Sequence, residues 1–446
     1  MKSLPAAAAR PVGPTRRWAE WLDAQSGRLF LAPAVAVILA FSIVPTGISA
    51  LLALSRFSLQ PGGYGLKFVG ALNFRKLLFG TQQYHLLGTE GEMPSAGWLL
   101  LALAVALLAW WSARALRRVP GRRRWLAAAV AACFSAAAAG LLAPLGPCAA
   151  WSGRIIERVD QPWFAWVAGV GLLGVAVAAL LRRVLGTPVS IAGWCGRLLA
   201  GWLFLVLVLL ILGTMGGQQG TLLTTLFYVF GGTALQFTLG LGLAMLCAQS
   251  VRGRNFFRLS FFLPLMVTPV GVAYTFRMLA DMSVGPLAPV ARFFGLGALL
   301  WAEHAWSARW VVLCSDTWQW TPFVFIVMLA AIEGQPRDQI EAAQLDGASG
   351  WRVFRDITWP TIAPTAAAVV LVRLIEGFKI VDLPNVLTNG GPGIATESMT
   401  LHAFIEWRTL NLGGSAAVAY LLLFVATVSA VSFFQFVVRR AREGVR

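Results

Sequence analysis

Residues 341–360 read EAAQLDGASGWRVFRDITWP, a polar stretch that lies between two long apolar segments. Two small residues, Ala342 and Ala343, would let a helix lie close against a groove, and Gly347 can adopt turns that other residues resist. Four charged side chains are available to a partner: Glu341, Asp346, Arg352 and Arg355. The stretch therefore suits docking to another protein, although an ordinary amphipathic loop helix that ends at a glycine has the same local pattern.

The composition of the chain places this stretch in a membrane protein. Apolar residues make up 58% of the 446 residues and charged residues only 12%, which is more apolar surface than a soluble protein of this length can bury. The net charge is +17, which in a soluble protein would suggest a nucleic-acid partner. Here the basic residues form short clusters between apolar runs, as cytoplasmic loops do, so we predict no nucleic-acid partner.

Ten apolar segments each approach or exceed the roughly 20 residues that a helix needs to cross the hydrocarbon core. Their backbones must be helical, because lipid offers no hydrogen-bond partners. We therefore predict an all-α membrane protein, a polytopic helical bundle of about ten transmembrane helices. The predicted spans are 29–54, 97–116, 124–146, 163–183, 197–214, 221–247, 257–279, 308–332, 361–382 and 416–438.

The distribution of Lys and Arg predicts the orientation of these helices. Every second loop is basic, beginning with the segment before the first span, and basic loops tend to stay in the cytoplasm. Clear examples are the runs at 114–124, 252–258 and 337–355 and the final residues 439–446. We therefore predict a multi-pass protein of the plasma membrane in which both termini and the stretch 341–360 are cytoplasmic.

The spacing E-A-A, three residues, Gly, nine residues, I-x-x-P resembles the cytoplasmic loop of permease subunits of binding-protein-dependent ABC importers. One departure is Trp359, where that family usually has Leu. Four further stretches resemble segments of its sugar permeases: KFVGALNF at 67–74, NFFR to LP at 255–264, DTWQWTP at 316–322 and LTNGGPG at 387–393. The resemblance is to the larger permease subunits of the maltose, trehalose and polyol type.

This resemblance implies the permease core of a type I ABC importer, in which two short helices broken at Gly347 dock into a cleft on a separate ATPase. The residues implied in docking are Glu341, Ala342, Ala343, Asp346, Gly347, Arg352, Ile357 and Pro360. The same resemblance implies four kinds of partner in the inner membrane of a bacterium: a cytoplasmic ATPase dimer, a second permease subunit that completes a heterodimer, an extracytoplasmic solute-binding protein and membrane lipid.

The chain contains no G-x-x-x-x-G-K-[ST] stretch, so it lacks the loop that cradles nucleotide phosphates. We therefore expect a transport subunit rather than an enzyme. We also expect no cofactor bound by this chain, with ATP and Mg²⁺ held by the partner ATPase, and a sugar or polyol as the substrate.

Family-like stretches lie on both sides of a region that does not resemble the family, and this defines the predicted domains. Residues 84–217 would be an insertion of about four extra spans, packed at the periphery of the core. The other predicted segments are a cytoplasmic N-terminal segment at 1–28, the first span with an external segment at 29–83, the permease core at 218–440 with its docking loop at 333–360, and a cytoplasmic tail at 441–446.

Polar residues inside the spans are the candidates for the substrate path, because charges there are costly and usually face the bundle interior or a wet cavity. Arg373, Glu376, Lys379 and Asp382 lie three apart in the predicted span 361–382. Neighbouring members of this row would share a helix face and could pair internally, either as sugar contacts or as a structural row of ion pairs. The preceding span would supply polar and aromatic groups from Asp316, Trp318, Gln319 and Trp320.

Other readings of the chain are a secondary transporter of small polar solutes and an integral membrane enzyme. The first would have no use for the loop at 341–360, and the second would need a reactive constellation that the sequence does not show. His402 and Glu406 have helical spacing, but a zinc site needs more ligands. We therefore predict no metal site, and we expect His304, His402 and Glu406 to be solvated.

Overall fold

A computed structural model of the chain describes residues 31–61, 63–89, 99, 103, 218–249, 254–282, 285–293 and 301–444. Five helices in this part of the chain are long and apolar enough to cross a membrane, or six if a sharply bent pair counts as one span. The four spans predicted within 97–214 lie outside the described residues, apart from the isolated positions 99 and 103. A mostly helical membrane protein is confirmed, while the total of about ten spans stays a prediction.

The described elements run as follows. Helix α1 (Leu31–Ala53) leads into an antiparallel hairpin of β1 (Ser55–Gln60) and β2 (Gly63–Phe68), then α2 (Leu72–Phe79) and α3 (Gln83–Leu87). The second part begins with α4 (Thr221–Ala248), α5 (Arg254–Phe262), α6 (Pro269–Ala280) and α7 (Ala288–Phe293). It continues with α8 (Ala305–Glu333), α9 (Arg337–Leu345), α10 (Gly350–Gly377), α11 (Asp382–Thr388), α12 (Met399–Arg408) and α13 (Leu412–Gly444).

The segment predicted as a single span at 257–279 is broken. Its two halves, Phe256–Met266 and Pro269–Ala280, meet at an angle of 101°. Pro269 disfavours a helical backbone at the residue before it, and Thr268 is accordingly extended with ψ 148°. The Thr268 side chain then caps α6 by accepting a hydrogen bond from the backbone N–H of Gly271 at 3.3 Å.

The span predicted at 361–382 begins and ends earlier than expected. Helix α10 starts in the polar loop, where Ser349 caps it by accepting from the backbone N–H of Arg352, and it passes through a π-helical turn at Phe354–Thr358. Such a turn accommodates Pro360, which has no N–H to offer the preceding turn. Since the helix ends at Gly377, Lys379 and Asp382 lie beyond it.

The bundle is held together by close packing of α4 against α8. Gly240 makes this approach possible, because a Cβ added there would lie 2.7 Å from the Cβ of Val324. Around this contact lies a core of small and large apolar side chains from α4, α8 and α10: Ala244, Phe325, Met328, Ile362, Ala366 and Val369.

Asn73, from the family-like stretch at 67–74, closes the end of the first span. Its side-chain amide donates to the carbonyl oxygens of Ala53 at 2.8 Å and Ser55 at 3.0 Å, and it is buried. The last carbonyls of a helix have no partner within the helix, so this side chain supplies one. Asparagine is therefore needed here for the turn from α1 into the hairpin.

The residues that flank the predicted insertion lie side by side. The backbone N–H of Thr89 donates to the carbonyl of Gln218 at 2.8 Å, and the N–H of Gln218 donates to the Thr89 hydroxyl at 3.0 Å. Residues 84–89, which the sequence reading assigned to the insertion, therefore belong to the described fold. The four predicted spans would be compatible with these neighbouring ends, because an even number of crossings returns a chain to the side that it left.

Replacing residues 90–217 with a short Gly/Ser linker is expected to leave the rest of the chain folded, because Thr89 and Gln218 already meet and the linker closes a small gap. Size-exclusion chromatography and the thermal unfolding temperature in detergent would measure this. Gly88→Val in the full chain is the contrasting variant, because its Cβ would lie 2.3 Å from the Gln218 carbonyl oxygen. Aggregation of the linker variant beside a monodisperse parent chain would show that 90–217 is part of the core.

Candidate functional site

The polar loop at the end of α8 forms a helix, a left-handed turn and a second helix. Helix α9 ends at Leu345, and Gly347 follows with φ 77°, a conformation that glycine adopts readily and other residues resist. The N–H of Ala348 then bonds back to the carbonyl of Ala343 at 2.9 Å, which closes the turn. The break expected at Gly347 is therefore present, but the second helix continues into the membrane span instead of ending within the loop.

Two large apolar side chains of this loop are exposed. Leu345 is 89% exposed and Trp351 is 70% exposed, one on each side of the turn. Grouped exposed apolar residues on a polar loop mark a surface that another protein covers. Most of the predicted docking residues share this exposed surface, namely Glu341, Ala342, Asp346, Gly347, Arg352 and Pro360, while Ala343 and Ile357 are half-buried.

The loop is anchored to the bundle through its second half. Val353 and Thr358 are buried, and the side-chain amide of Gln335 lies 3.5 Å from the Thr358 carbonyl oxygen. The ring of Phe354 lies 6.2 Å from the ring of Trp359. Trp359 is the residue that stands where the resembled loops usually have Leu. The start of the loop is therefore tied to α10 through Gln335, while α10 itself supplies the second half of the loop.

A second polar group lies inside the bundle and joins three membrane-spanning helices. The guanidinium of Arg373 on α10 lies 3.3 Å from a carboxylate oxygen of Asp316 on α8, and its Nε donates to the Gln236 side-chain oxygen on α4 at 2.7 Å. The Gln236 amide in turn donates to the same Asp316 oxygen at 2.7 Å. The Arg373 guanidinium carbon also lies 4.3 Å from the centre of the Trp320 ring, within the range of a cation–π contact.

Gln236 was missed by the sequence reading. Its signal was a lone amide in the apolar run TALQFTLG, and a buried amide needs a partner. Its partners are on two other helices, so they could not be identified from that run.

The predicted substrate-path residues of α8 do not share one face of the helix. Asp316 and Trp320, four residues apart, both contact Arg373. The Trp318 ring instead lies 5.7 Å from the ring of Phe276, and the Gln319 amide donates to the Val267 carbonyl at 3.1 Å. The buried Gln319 side-chain oxygen has no hydrogen-bond partner among the described residues.

The four charged residues spaced three apart in the predicted span are divided between two ion pairs and a helix start. Arg373 pairs with Asp316, whereas Lys379 pairs with Glu376 at 2.7 Å in a more exposed position. Asp382 begins α11 after the turn that ends α10. The expected pairing of neighbours is present for Glu376 and Lys379, but Arg373 pairs across helices and Asp382 lies beyond the end of α10, so the four residues do not form one row.

His402, which we expected to be solvated, is buried. Its Nδ1 lies 2.7 Å from a carboxylate oxygen of Glu397, and its ring centre is 4.9 Å from that of His85. Burial lowers the pKa of His85, and the neighbouring His402 acts in the same direction. Glu406 is half-buried and accepts hydrogen bonds from Gln82 and Asn411, whereas His304 is exposed as expected.

Asp316→Leu is expected to destabilise the protein by about 3–5 kcal/mol, because it leaves the Arg373 guanidinium buried without its counter-charge. Thermal unfolding in detergent would measure the loss. Adding Arg373→Met should recover much of it, since both buried charges are then gone. Glu376→Gln is the matched control and should cost less than about 1 kcal/mol, because its ion pair is more exposed. A double variant no more stable than Asp316→Leu alone would contradict the pairing.

Comparisons with known proteins identify a family and several relatives. The sequence profile of a family described as binding-protein-dependent transport system inner membrane component matches residues 237–443, which contain the polar loop, Asp316 and Arg373. A trehalose/maltose transport system permease protein of Thermococcus litoralis is 31% identical over 205 residues, 46% of this chain and 69% of that protein.

Two further relatives cover similar shares of the chain. A probable starch degradation products transport system permease protein of Thermoanaerobacterium thermosulfurigenes is 28% identical over 198 residues, 44% of this chain and 67% of that protein. An sn-glycerol-3-phosphate transport system permease protein of Agrobacterium fabrum is 29% identical over 220 residues, 48% of this chain and 74% of that protein. The chain therefore belongs to the family of inner membrane components of binding-protein-dependent transport systems.

Proposed function

We propose that this chain forms half of the translocation path of an ATP-driven importer of a neutral carbohydrate or polyol, and that its loop at 333–360 couples it to a cytoplasmic ATPase. The observation that carries the proposal is the exposed surface around Gly347, where Leu345 and Trp351 have no cover from the rest of the described chain. A docking partner would bury both side chains, and the charged residues around them would orient it.

The continuity of α10 supports a route for coupling. This helix runs from Gly350 in the loop to Gly377, about 40 Å at roughly 1.5 Å per residue. A displacement of the loop would therefore move Arg373, at the other end of the same helix, against its partners Asp316 and Gln236 on α8 and α4. Rocking of packed helices in this way is how many transporters expose a site to alternate sides.

The remaining parts of the importer would be supplied by other chains. The ATPase dimer would hold ATP and Mg²⁺, since this chain has no phosphate-cradling loop. A second permease subunit would form the other half of the path, and a solute-binding protein would deliver the substrate at the end of the bundle opposite the loop. The loop and both chain termini would lie in the cytoplasm of a bacterium. A secondary transporter would need none of these partners.

We infer the substrate class from the balance of charges among the residues predicted to line the path. The ion pairs Arg373–Asp316 and Lys379–Glu376 leave no unmatched charge among the intramembrane residues predicted to line the path, other than Asp382 at the start of α11. A neutral solute with many hydroxyl groups fits such a path better than an anion does. The permease relatives named for trehalose/maltose and for starch degradation products point the same way, whereas the relative named for sn-glycerol-3-phosphate keeps an anion as the competing class.

Gly347→Pro is expected to abolish docking while the chain still reaches the membrane, because proline fixes φ near −65° and Gly347 has φ 77°. The measurement is the amount of ATPase subunit that copurifies with the chain from its native membrane. Gly350→Pro is the matched control. Gly350 is the first residue of its helix and Ser349 before it is extended with ψ 155°, so proline fits there.

Glu341→Lys should also reduce copurification, because Glu341 is exposed on the docking face. Glu303→Lys makes the same charge change at an exposed position at the opposite end of α8 and should have no effect. Normal copurification with both Gly347→Pro and Glu341→Lys would remove the docking assignment from this loop.

Uptake of labelled trehalose and maltose by Glu376→Lys, Lys379→Glu and the charge-swapped double variant would test the path assignment of these residues. If the 2.7 Å pair is a sugar contact, each single variant loses uptake and the swap does not restore it, since donor and acceptor are exchanged at the sugar. Full rescue by the swap would make the pair structural. Uptake of labelled sn-glycerol-3-phosphate but of neither sugar would contradict the neutral class.

A further inference from the structure

A cluster of metal-ligating side chains lies at the end of the bundle opposite the docking loop. His85 lies on α3, Glu397 lies before α12, and His402 lies on α12. One potential ligand atom from each of the three lies within 4.8 Å of the other two. Glu397 and His402 are buried, and His85 is half-buried. These residues have no part in the docking loop or in the Arg373 network.

We propose that His85, Glu397 and His402 form a zinc-binding site, with Glu406 beside it, that ties α3 to α12. Two imidazoles and a carboxylate are a common zinc ligand set, with a fourth position open to water or to a further side chain. The site would be structural. It joins the segment before residue 90 to the helix that precedes the last membrane span.

The strongest evidence is a pair of orphaned nitrogens. His85 Nδ1 and His402 Nε2 are both buried and have no hydrogen-bond partner among the described residues. Leaving one buried polar atom unpaired costs about 1–3 kcal/mol, so two in adjacent rings call for an explanation. A cation bound between them would use both lone pairs. The hydrogen bond between His402 Nδ1 and Glu397 leaves both His85 Nδ1 and His402 Nε2 without a partner.

The surrounding carboxylates are arranged to support such an ion. A carboxylate oxygen of Glu397 lies 3.9 Å from His85 Nδ1, and a carboxylate oxygen of Glu406 lies 3.9 Å from His402 Nε2. The other Glu397 oxygen lies 2.7 Å from His402 Nδ1, a contact that would open for Glu397 and His402 Nε2 to bind the same ion.

Glu406 is itself held in place. Its two oxygens accept hydrogen bonds from the side-chain amides of Gln82 at 3.1 Å and Asn411 at 2.6 Å. Such outer contacts are typical of the groups around a metal.

Binding requires the cluster to close and the rings of His85 and His402, which are stacked with centres 4.9 Å apart, to turn toward one ion. Zinc bonds of about 2.0–2.2 Å place tetrahedral ligand atoms roughly 3.4 Å apart, so the cluster would have to close by about 1–1.5 Å. His85 is on a helix of five residues and is half-exposed, which makes it the ligand best able to move. His402 and Glu397 are already in contact.

The test uses the full chain, purified through an affinity tag without histidine, stripped with a chelator and then dialysed against Zn²⁺ alone. Mass spectrometry of the metal content is expected to find one zinc per chain in the parent and in His304→Ala. The chain has three histidines, so this control and the variants His85→Ala and His402→Ala account for all of them. Both of these variants should lose the zinc.

A second readout separates binding from folding. Added Zn²⁺ should raise the thermal unfolding temperature of the parent chain and of His304→Ala, and leave that of His85→Ala unchanged. Co²⁺ in place of zinc should give the visible absorption of a tetrahedral site in the parent chain. A parent chain that binds no zinc would overturn the proposal without any variant, as would full zinc content in both His85→Ala and His402→Ala.

Discussion

The guanidinium of Arg373 is held by groups from two other membrane-spanning helices, and the relative positions of all three helices depend on it. The charge of Arg373 is balanced by Asp316 on α8, and its remaining donor capacity is used by Gln236 on α4. A buried charge without such partners would cost several kcal/mol, so a sliding movement of one helix past the others is opposed at this point. The small residue Gly240 then lets α4 and α8 approach closely on the loop side of that network.

This network and the docking loop belong to the same helix. Because α10 is continuous from Gly350 to Gly377, the residues that would contact an ATPase and Arg373, which joins three helices, are parts of one helix. The π-helical turn at Phe354–Thr358 lies between them and accommodates Pro360 without ending the helix. A two-helix loop separate from the span would transmit movement less directly.

The opposite end of the bundle is organised around side chains that fix turns. Asn73 closes the end of α1, Thr89 and Gln218 bond to each other, and Glu406 links α12 to Gln82 before α3. The Asn73 contact joins α2 to the end of α1. The other two contacts join Gln82 and Thr89 to residues after position 217. Thr89 and Gln218, which flank residues 90–217, therefore lie side by side.

The sequence by itself determined the membrane class, the approximate position of five described spans and the left-handed turn at Gly347, since apolar runs and turn residues act locally. It also located the break in the loop, but not the bend at Thr268, because the apolar run at 257–279 continues through it. Only the tertiary structure decided which residues Arg373 and Gln236 contact, and that His402 is buried beside His85 and Glu397. These contacts join residues far apart in the sequence, and their distances depend on how the helices pack.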